Sequence, residues 1–202
     1  MRTDIILGRK MRSLHLEKKG IRCLAIAESF RPTDKKSILC GLVMRRDLHI
    51  DGFVFGSPTI TGDDSTATIL KMFDDLKRSD INCILISGLI LSLYNIVDIK
   101  KLYHHLQIPI IGIAYSISSG IESTLKHHFP DSQPKIYLYQ KLGPREQITL
   151  HTSHNIFVRM EGCTKNEARH ILNSLTIQGS RPEPLRIAKL LAHSIVRNSL
   201  TF

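Results

Sequence analysis

The sequence predicts an α/β protein built around one mixed β-sheet, on three observations. Three short apolar runs come first, and the turn between the second and third is short enough for a hairpin, which indicates antiparallel strands. An amphipathic helix follows them. A strand, a helix and another strand then follow in the order of a parallel crossover, which is nearly always right-handed. Antiparallel pairing at the start and parallel pairing in the centre together define the fold class.

The first half of this pattern predicts three strands and one helix. The strands are expected at residues 21–27, 38–46 and 49–56, with a tight turn between the last two. A helix is expected from about Ser65, because apolar side chains then recur at helical spacing. Asp64 or Ser65 is the expected N-cap, since aspartate and serine are favoured at that position.

The central unit predicts where a ligand would bind. Residues 83–86 form an unbroken apolar run that suits a strand covered on both faces, Asn95 is expected to open the next helix, and residues 110–114 form the next strand. Ligands of open α/β sheets bind beyond the carboxyl ends of parallel strands. The sequence therefore points to residues 87–88 and 115–116.

The remaining chain predicts flanking helices and one further strand pair. We expect a short helix ending near Pro130, a surface excursion at 130–147, strands at 149–152 and 155–160, and helices at 165–175 and after 184. The order of three antiparallel strands, a helix and then strand–helix–strand is that of a ribonuclease H-like mixed sheet. A flavodoxin-like fold is the alternative, but it has no early meander. Residues 1–20 are expected to be a basic arm or a loosely docked strand, and residues 21–202 a single domain.

The charge of the protein is uneven. The net charge is +10, and residues 1–22 carry seven basic against two acidic side chains, while residues 181–202 carry four against one. Basic ends on a nearly neutral body favour a polyanionic partner, most plausibly nucleic acid, although solubility alone also explains them. No apolar run approaches the ~20 residues needed to span a bilayer, and no signal peptide is recognisable. We therefore expect a cytoplasmic protein with no membrane partner.

Three acidic side chains are candidates for catalysis. Glu28 follows the first strand, and Asp63 and Asp64 precede the first helix. Hydrolysis of a phosphodiester with Mg²⁺ or Mn²⁺ needs carboxylates that converge on the metal, and these three could do so at one edge of the sheet. The alternative is that the two aspartates cap the helix and that Glu28 is an exposed strand-end residue.

The final helix and the segment before it supply candidate phosphate contacts. Arg186, Lys189, His193 and Arg197 recur at near-helical spacing, and Arg181 precedes the helix. Such a basic stripe could follow a nucleic-acid backbone. The alternative is an ordinary solvated helix face. We predict nucleic-acid binding by Arg181, Arg186, Lys189 and His193.

Several segments also resemble a known family. They are IRCLAIAESF, GLVMRRDLHIDGF, TGDDST, SGLILSLYNIVDI, PIIGIAY and GSRPEPLRIAKLLAH, which together run from about Gly20 to Arg197. In this order they resemble the archaeal domain-of-unknown-function family ninety-nine, also called endonuclease dU-like and related to endonuclease V. The resemblance implies a ribonuclease H-like fold and Mg²⁺-dependent cleavage of nucleic acid beside deaminated bases.

This sequence differs from endonuclease V-like enzymes at two of their expected active-site positions. The positions at which endonuclease V-like enzymes carry three acids and a lysine correspond here to Glu28, Asp63 or Asp64, Ser87 and Tyr115. Ser87 thus stands in place of an aspartate and Tyr115 in place of a lysine. Asp98 could partly compensate for the lost acid, or it could simply complement a helix N-terminus.

Three functions follow as hypotheses. The first is a Mg²⁺-dependent endonuclease, or a diverged relative with weak activity, acting on DNA that contains deaminated bases. Glu28, Asp63 and Asp64 would hold the metal. The second is a nucleic-acid-binding protein on the same fold without catalysis. The third is a module that binds a small molecule or another protein, which a shallow and uncharged strand-end cleft would favour.

Overall fold

A computed structural model describes residues 20–117 and 120–198. Its strands are β1 (Arg22–Ser29), β2 (Ile38–Arg45), β3 (Ile50–Gly56), β4 (Ile81–Ser87), β5 (Ile90–Leu91), β6 (Asn95–Ile96), β7 (Ile110–Ala114), β8 (Glu146–Thr149) and β9 (Asn155–Glu161). Its helices are α1 (Ser65–Asp75), α2 (Ile99–Leu106), α3 (Glu122–His128), α4 (Gln133–Lys141), α5 (Lys165–Ser174) and α6 (Glu183–Asn198). Apart from Gly20, the predicted basic arm lies outside the described residues.

The main sheet has seven strands in the order β3-β2-β1-β4-β7-β9-β8. The first three strands pair antiparallel, β1 pairs parallel with β4, and β4 pairs parallel with β7. Strands β9 and β8 close the other edge in antiparallel fashion. The predicted mixed α/β sheet with an early meander and a central crossover is therefore confirmed.

The sheet is covered on both faces. On the front face, α1, α2 and α4 pack against alternate residues of the central strands, such as Ile26 and Ile86. On the back face, α5 and the start of α6 pack against the residues between them, such as Ala25 and Leu85, and α6 continues over Ala27. Successive side chains of a strand point to opposite faces, which explains the unbroken apolar runs. No helix in the described part of the chain is long and apolar enough to cross a membrane.

The prediction that Asn95 opens a helix is wrong. Asn95 begins the short strand β6, and α2 starts at Ile99 with Asp98 as its N-cap, whose side chain accepts a hydrogen bond from Lys101 N at 3.0 Å. Asn95 instead caps α1, because its Oδ1 accepts from Ser65 N at 3.0 Å. A side chain that caps a helix 30 positions away gives no local signal.

The region from 130 to 147 is not the surface excursion that the sequence predicts. It contains α4, from which Lys135, Ile136 and Tyr139 are buried, followed by the start of β8. The prediction of a strand at 149–152 is also shifted, since β8 ends at Thr149 and a turn follows it. Proline in the first turn of α4 is tolerated, because the amide it lacks has no partner within the helix there.

Candidate nucleic-acid interface

Glu28 lies near the end of β1 and points to the front face, where its carboxylate anchors a neighbouring hairpin. The carboxylate accepts hydrogen bonds from Ser92 N at 2.8 Å and from Ser92 Oγ at 3.1 Å. Burial raises the pKa of Glu28, and the bonds from Ser92 and the charge of Lys189 only partly oppose this change. Glu28 is therefore not an exposed strand-end residue, because it is half-buried and its carboxylate is bonded to the hairpin.

Asp64 is held within the loop before α1. Its carboxylate accepts from Thr59 N at 3.0 Å, from Thr59 Oγ1 at 2.8 Å and from Asn95 Nδ2 at 2.8 Å. Burial alone would raise the pKa of Asp64, but the hydrogen bonds from Thr59 and Asn95 outweigh it and hold the pKa below its usual value. Asp64 occupies the N-cap position of α1 without a side-chain bond to the helix. Its role is to close the loop.

Asp63 forms an ion pair with Lys135, a buried lysine of α4. The Asp63 side chain is 74% exposed, whereas that of Lys135 is 9% exposed. The ammonium group also donates to Gly62 O at 2.8 Å and to Tyr94 O at 3.2 Å. Lys135 thus connects α4 to two loops of the front face, and Asp63 supplies its counter-charge.

Each of the three predicted carboxylates has a partner within the chain. Each is bonded to different partners: Glu28 to Ser92, Asp64 to Thr59 and Asn95, and Asp63 to Lys135. Within residues 20–117 and 120–198, no group of three or more histidine, cysteine, aspartate or glutamate side chains could hold a metal ion. Magnesium prefers several oxygen ligands in near-octahedral geometry. In this arrangement the three carboxylates do not fit a shared magnesium site.

Ser87 and Tyr115 lie on the opposite face from Glu28. Strand β1 pairs with β4 so that Ile26 is beside Ile86, and strand alternation then directs Ser87 to the back face. The hydroxyl of Tyr115 is buried there without a hydrogen-bond partner. Burial raises the pKa of Tyr115, and the nearby Ser87 and Arg181 oppose this change.

The predicted basic residues in and just before α6 are exposed, but most of them have partners within the chain. The guanidinium carbon of Arg181 lies 4.8 Å from the centroid of the Tyr115 ring. Arg186 Nε donates to Glu183 Oε2 at 2.8 Å within α6. Lys189 Nζ donates to the backbone oxygen of Glu28 at 2.6 Å. His193 is exposed to solvent. These residues form a positive surface on the back of the sheet, and their binding to nucleic acid stays a prediction.

A cleft on the front face, which we call the edge cleft, lies at the predicted ligand edge. Its deeper part has a volume of about 200 Å³ and is lined by Gly88 to Ile90, Gly112 to Ala114, Arg145, Phe157 and Arg159. A wider outer part of about 620 Å³ adds Tyr139, Gln140, Glu122 and neighbouring loop residues. The cleft therefore begins where β4 and β7 end, which is where the sequence places a ligand.

Two arginines and two aromatic rings form one wall of the edge cleft. Arg159 Nε donates to Gly143 O at 2.7 Å, and its guanidinium lies 4.9 Å from the Tyr139 ring centroid. Phe157 and Arg145 are half-buried beside it. Fixed guanidinium groups suit phosphate oxygens, and aromatic faces suit nucleobases.

A glycine makes the floor of the edge cleft possible. Gly112 lies in β7, and a Cβ atom added there would come within 2.3 Å of the Leu89 side chain. Leu89 can therefore pack directly on the strand and hold the loop that follows β4. Gly88 has a φ of 88°, and an added Cβ would find no atom closer than 4.0 Å. The space above Gly88 is thus open to a ligand.

The sequence alone does not single out Arg145, Phe157, Arg159 and Lys135 as candidate site residues. Two features of the sequence nevertheless point to the edge cleft. Phe157 and Arg159 alternate with the buried Ile156 and Val158 in β9, and such alternation predicts one face outside the core. A glycine within an apolar strand, like Gly112, often indicates close approach of another group.

The fold and the edge cleft define a mixed α/β protein of ribonuclease H-like architecture with a positively charged strand-end site. The model of the Endonuclease dU family matches residues 19–196, and the chain belongs to that family. A UPF0215 protein of Pyrobaculum aerophilum is 32% identical over 170 residues, which cover 84% of this chain and 91% of that protein.

Solved structures share this fold. A protein of unknown function from Archaeoglobus fulgidus superposes with a TM-score of 0.76 at 26% identity, covering 88% of this chain and 99% of the other. A variant of endonuclease V from Ciona intestinalis, in complex with DNA containing an inosine, has a TM-score of 0.59 at 13% identity, covering 90% and 87%. Human ENDOV has a TM-score of 0.61 at 12% identity, with the same coverage. The endonuclease V likeness shows a shared fold.

Proposed function

We propose that this protein acts on DNA that contains a deaminated base, and that the edge cleft receives that base. The family and the endonuclease V neighbours support a nuclease-like function. The proposal that a base binds here rests on the position and lining of the cleft, which opens at the carboxyl ends of β4 and β7 and is lined by Gly88, Gly112, Arg145, Phe157 and Arg159.

The size and chemistry of the edge cleft suit a single base with its adjacent phosphates. Pockets of roughly 300–1,000 Å³ hold drug-sized molecules, so the deeper part, at about 200 Å³, suits one small ring system. Enzymes that act on a base in a duplex extrude it from the stack, and damaged or mispaired bases cost least to extrude. Phe157 would face the ring, while Arg145 and Arg159 would contact the backbone phosphates.

Cleavage would additionally need Mg²⁺, which Glu28, Asp63 and Asp64 could hold together only in an arrangement different from this one. A bound magnesium ion would polarise the phosphate and activate water. Glu28 is bonded to Ser92, Asp63 to Lys135, and Asp64 to Thr59 and Asn95, so binding of a metal would compete with these contacts. What the described residues support is the binding of DNA.

The second candidate is a protein that binds such DNA without cutting it. It is favoured by one specific observation, namely that the acids at the predicted site are hydrogen-bonded or ion-paired within the chain. Ser87 and Tyr115, which stand where the resemblance expects an aspartate and a lysine, favour the same candidate. A neutral serine is a poor substitute for a carboxylate around Mg²⁺.

Fluorescence anisotropy with labelled duplexes tests the proposal. Wild-type protein should bind a duplex with one deoxyuridine or inosine more tightly than the same duplex without it, and adding Mg²⁺ or Mn²⁺ to the same samples tests cleavage. Arg145→Gln should weaken binding, because it removes a cation from the cleft wall. Arg169→Gln is the matched control, since it removes the same charge from an exposed position on α5.

The two candidates give different outcomes in this assay. Selective binding followed by metal-dependent strand cleavage supports the endonuclease, and selective binding with intact strands supports the second candidate. Equal loss of affinity in Arg145→Gln and Arg169→Gln would contradict the placement of DNA in the edge cleft. No binding to any duplex at low salt would contradict both candidates.

A further inference from the structure

Two phenylalanine rings are exposed on the back of the sheet, on its outermost strand. Phe53 and Phe55 lie in β3, which ends the sheet on the side away from the edge cleft, and they are 45% and 49% exposed. Phe53 pairs with Leu42 and Phe55 with Cys40, and both partners lie on the back face beneath α6. Because paired residues of neighbouring strands point to the same face, the two rings also lie on the back face.

The core of the protein does not account for these rings. Helix α6 packs on β1 and β2 through Ala188 and Ala192, and β3 contributes Val54 to the core on the front face. The outward positions of Phe53 and Phe55 are left to solvent. Edge strands usually carry charged side chains at such positions, which prevent unwanted pairing. Two exposed aromatic rings therefore indicate a surface with a binding partner.

Cations lie beyond both ends of the two rings on the same face. Leu42 and Met44 of β2 point to the back face, so strand alternation places Arg46 there as well, and Arg46 lines a small back-face cavity. At the other end, Ile38 packs on the back face, and Lys36, two residues before it, is exposed. We call Phe53, Phe55, Lys36 and Arg46 the β3 face.

The acidic side chains near the β3 face are neutralised within the chain. Asp47, in the turn before β3, is ion-paired with Arg45. Asp51, in β3, lies 2.6 Å from Arg22 Nε. The charge that the β3 face offers to a partner is therefore positive.

Area and charge decide between a second copy of this chain and a polyanion as the partner. Phe53, Phe55 and Ile50 are each about half exposed and together offer roughly 300 Å² of apolar surface, whereas a standard interface buries roughly 800 Å² on each partner. Two copies would also repel each other, because each has a net charge of +10. A polyanion that carries aromatic rings matches both the cations and the phenylalanines.

We propose that the β3 face is a second nucleic-acid site, which stacks the unpaired bases of a single strand on Phe53 and Phe55. Stacking on aromatic side chains tolerates any base sequence, and flanking cations hold the phosphates. Residues two positions apart on a strand are ~6.6 Å apart, so the two rings can take successive bases of an extended strand. The bases of a duplex are already stacked on each other, so the β3 face binds single strands in preference.

This site is separate from the proposed function. The edge cleft lies on the front face beyond β4 and β7, whereas the β3 face lies on the back at the outermost strand. Its probes can therefore lack a deaminated base. Labelled oligodeoxyadenylate and oligoadenylate test DNA and RNA single strands, which share the chemistry that the β3 face recognises, and an adenine–thymine duplex is the comparison.

Fluorescence anisotropy at low salt compares wild-type protein with the double variant Phe53→Leu and Phe55→Leu. Leucine keeps the side chains apolar and removes the rings, so affinity for both single strands should fall about tenfold while affinity for the duplex is unchanged. Replacing both phenylalanines by tyrosine keeps the rings and should keep the affinity. Tyr137→Leu is the matched control, because Tyr137 is 70% exposed on α4, and it should bind as wild type.

A tryptophan reports the stacking directly. The chain contains no tryptophan, so Phe55→Trp introduces a single indole, whose emission the single strands should quench more than the duplex does. Wild-type affinity in the double leucine variant, an equal loss of affinity for the duplex, or unquenched emission in Phe55→Trp would overturn the proposal. A wild-type dimer that sedimentation shows without nucleic acid, and that the leucine variant loses, would overturn it in favour of a second copy.

Discussion

Replacing Glu28 with alanine tests whether this acid anchors the hairpin. Its carboxylate is the acceptor for Ser92 N and Ser92 Oγ, and Ser92 is fully buried. The hydroxyl keeps a partner, because Ser37 Oγ lies 2.6 Å away, so the main loss is one buried backbone amide. A buried donor without an acceptor costs about 1–3 kcal/mol, and relief of the buried charge offsets part of this. Glu28→Ala should therefore lower the free energy of unfolding by about 1–2 kcal/mol.

Urea denaturation at neutral pH, followed by circular dichroism, measures this loss. The matched control is Glu28→Gln, which keeps one oxygen as an acceptor for Ser92 N and removes the charge, and it should be at least as stable as wild type. Unchanged stability in Glu28→Ala, together with a loss of Mn²⁺ binding measured by calorimetry, would refute the anchor and support the metal ligand predicted from the sequence.

Three further predictions concern the same region. Because the folded-state pKa of Glu28 is raised above 4.5, the folded state holds this proton more tightly than the unfolded state. The contribution of Glu28 to the free energy of unfolding should decline as pH rises from 4.5 through its folded-state pKa. The decline should be about 1.4 kcal/mol for each pH unit between the pKa values of the unfolded and folded states. The decline should be absent in Glu28→Gln, titrated in parallel. Lys135→Met should cost only about 1–2 kcal/mol in urea denaturation, because its partner Asp63 is exposed and stays hydrated, and a loss above about 4 kcal/mol would contradict this. Gly112→Ala should lower the free energy of unfolding by about 1–3 kcal/mol and weaken binding of deoxyuridine DNA, because the new methyl group displaces Leu89 from the cleft floor. Wild-type stability together with wild-type DNA affinity would argue against this packing.

The parts of the fold that the sequence predicts are those set by local periodicity. The early meander and the central crossover follow from short apolar runs and from the handedness of parallel connections, and both are present. The position of the edge cleft also follows, because it depends on where β4 and β7 end. The prediction of a surface excursion at 130–147 is wrong, because α4 packs its buried side against residues that are distant in sequence.

The candidate site is less predictable, because its side chains are paired over long distances. Asn95 and Asp64 are 31 positions apart, and Lys135 and Asp63 are 72 apart. Spacing along the chain carries no information about such pairs. Spacing along the chain also does not show on which face of the sheet a strand residue lies. Glu28 lies near the end of β1 and Ser87 ends the neighbouring β4, but the register of these strands directs the two side chains to opposite faces.

The most direct test of the edge cleft is photocrosslinking of a duplex in which 5-iododeoxyuridine replaces the deaminated base. Irradiation joins this base to an adjacent aromatic side chain, and mass spectrometry of the digested complex locates the bond. We expect a crosslink to Phe157 or Tyr139, the aromatic residues that line the edge cleft. A duplex that binds but crosslinks only to peptides of α6, on the back of the sheet, would contradict it.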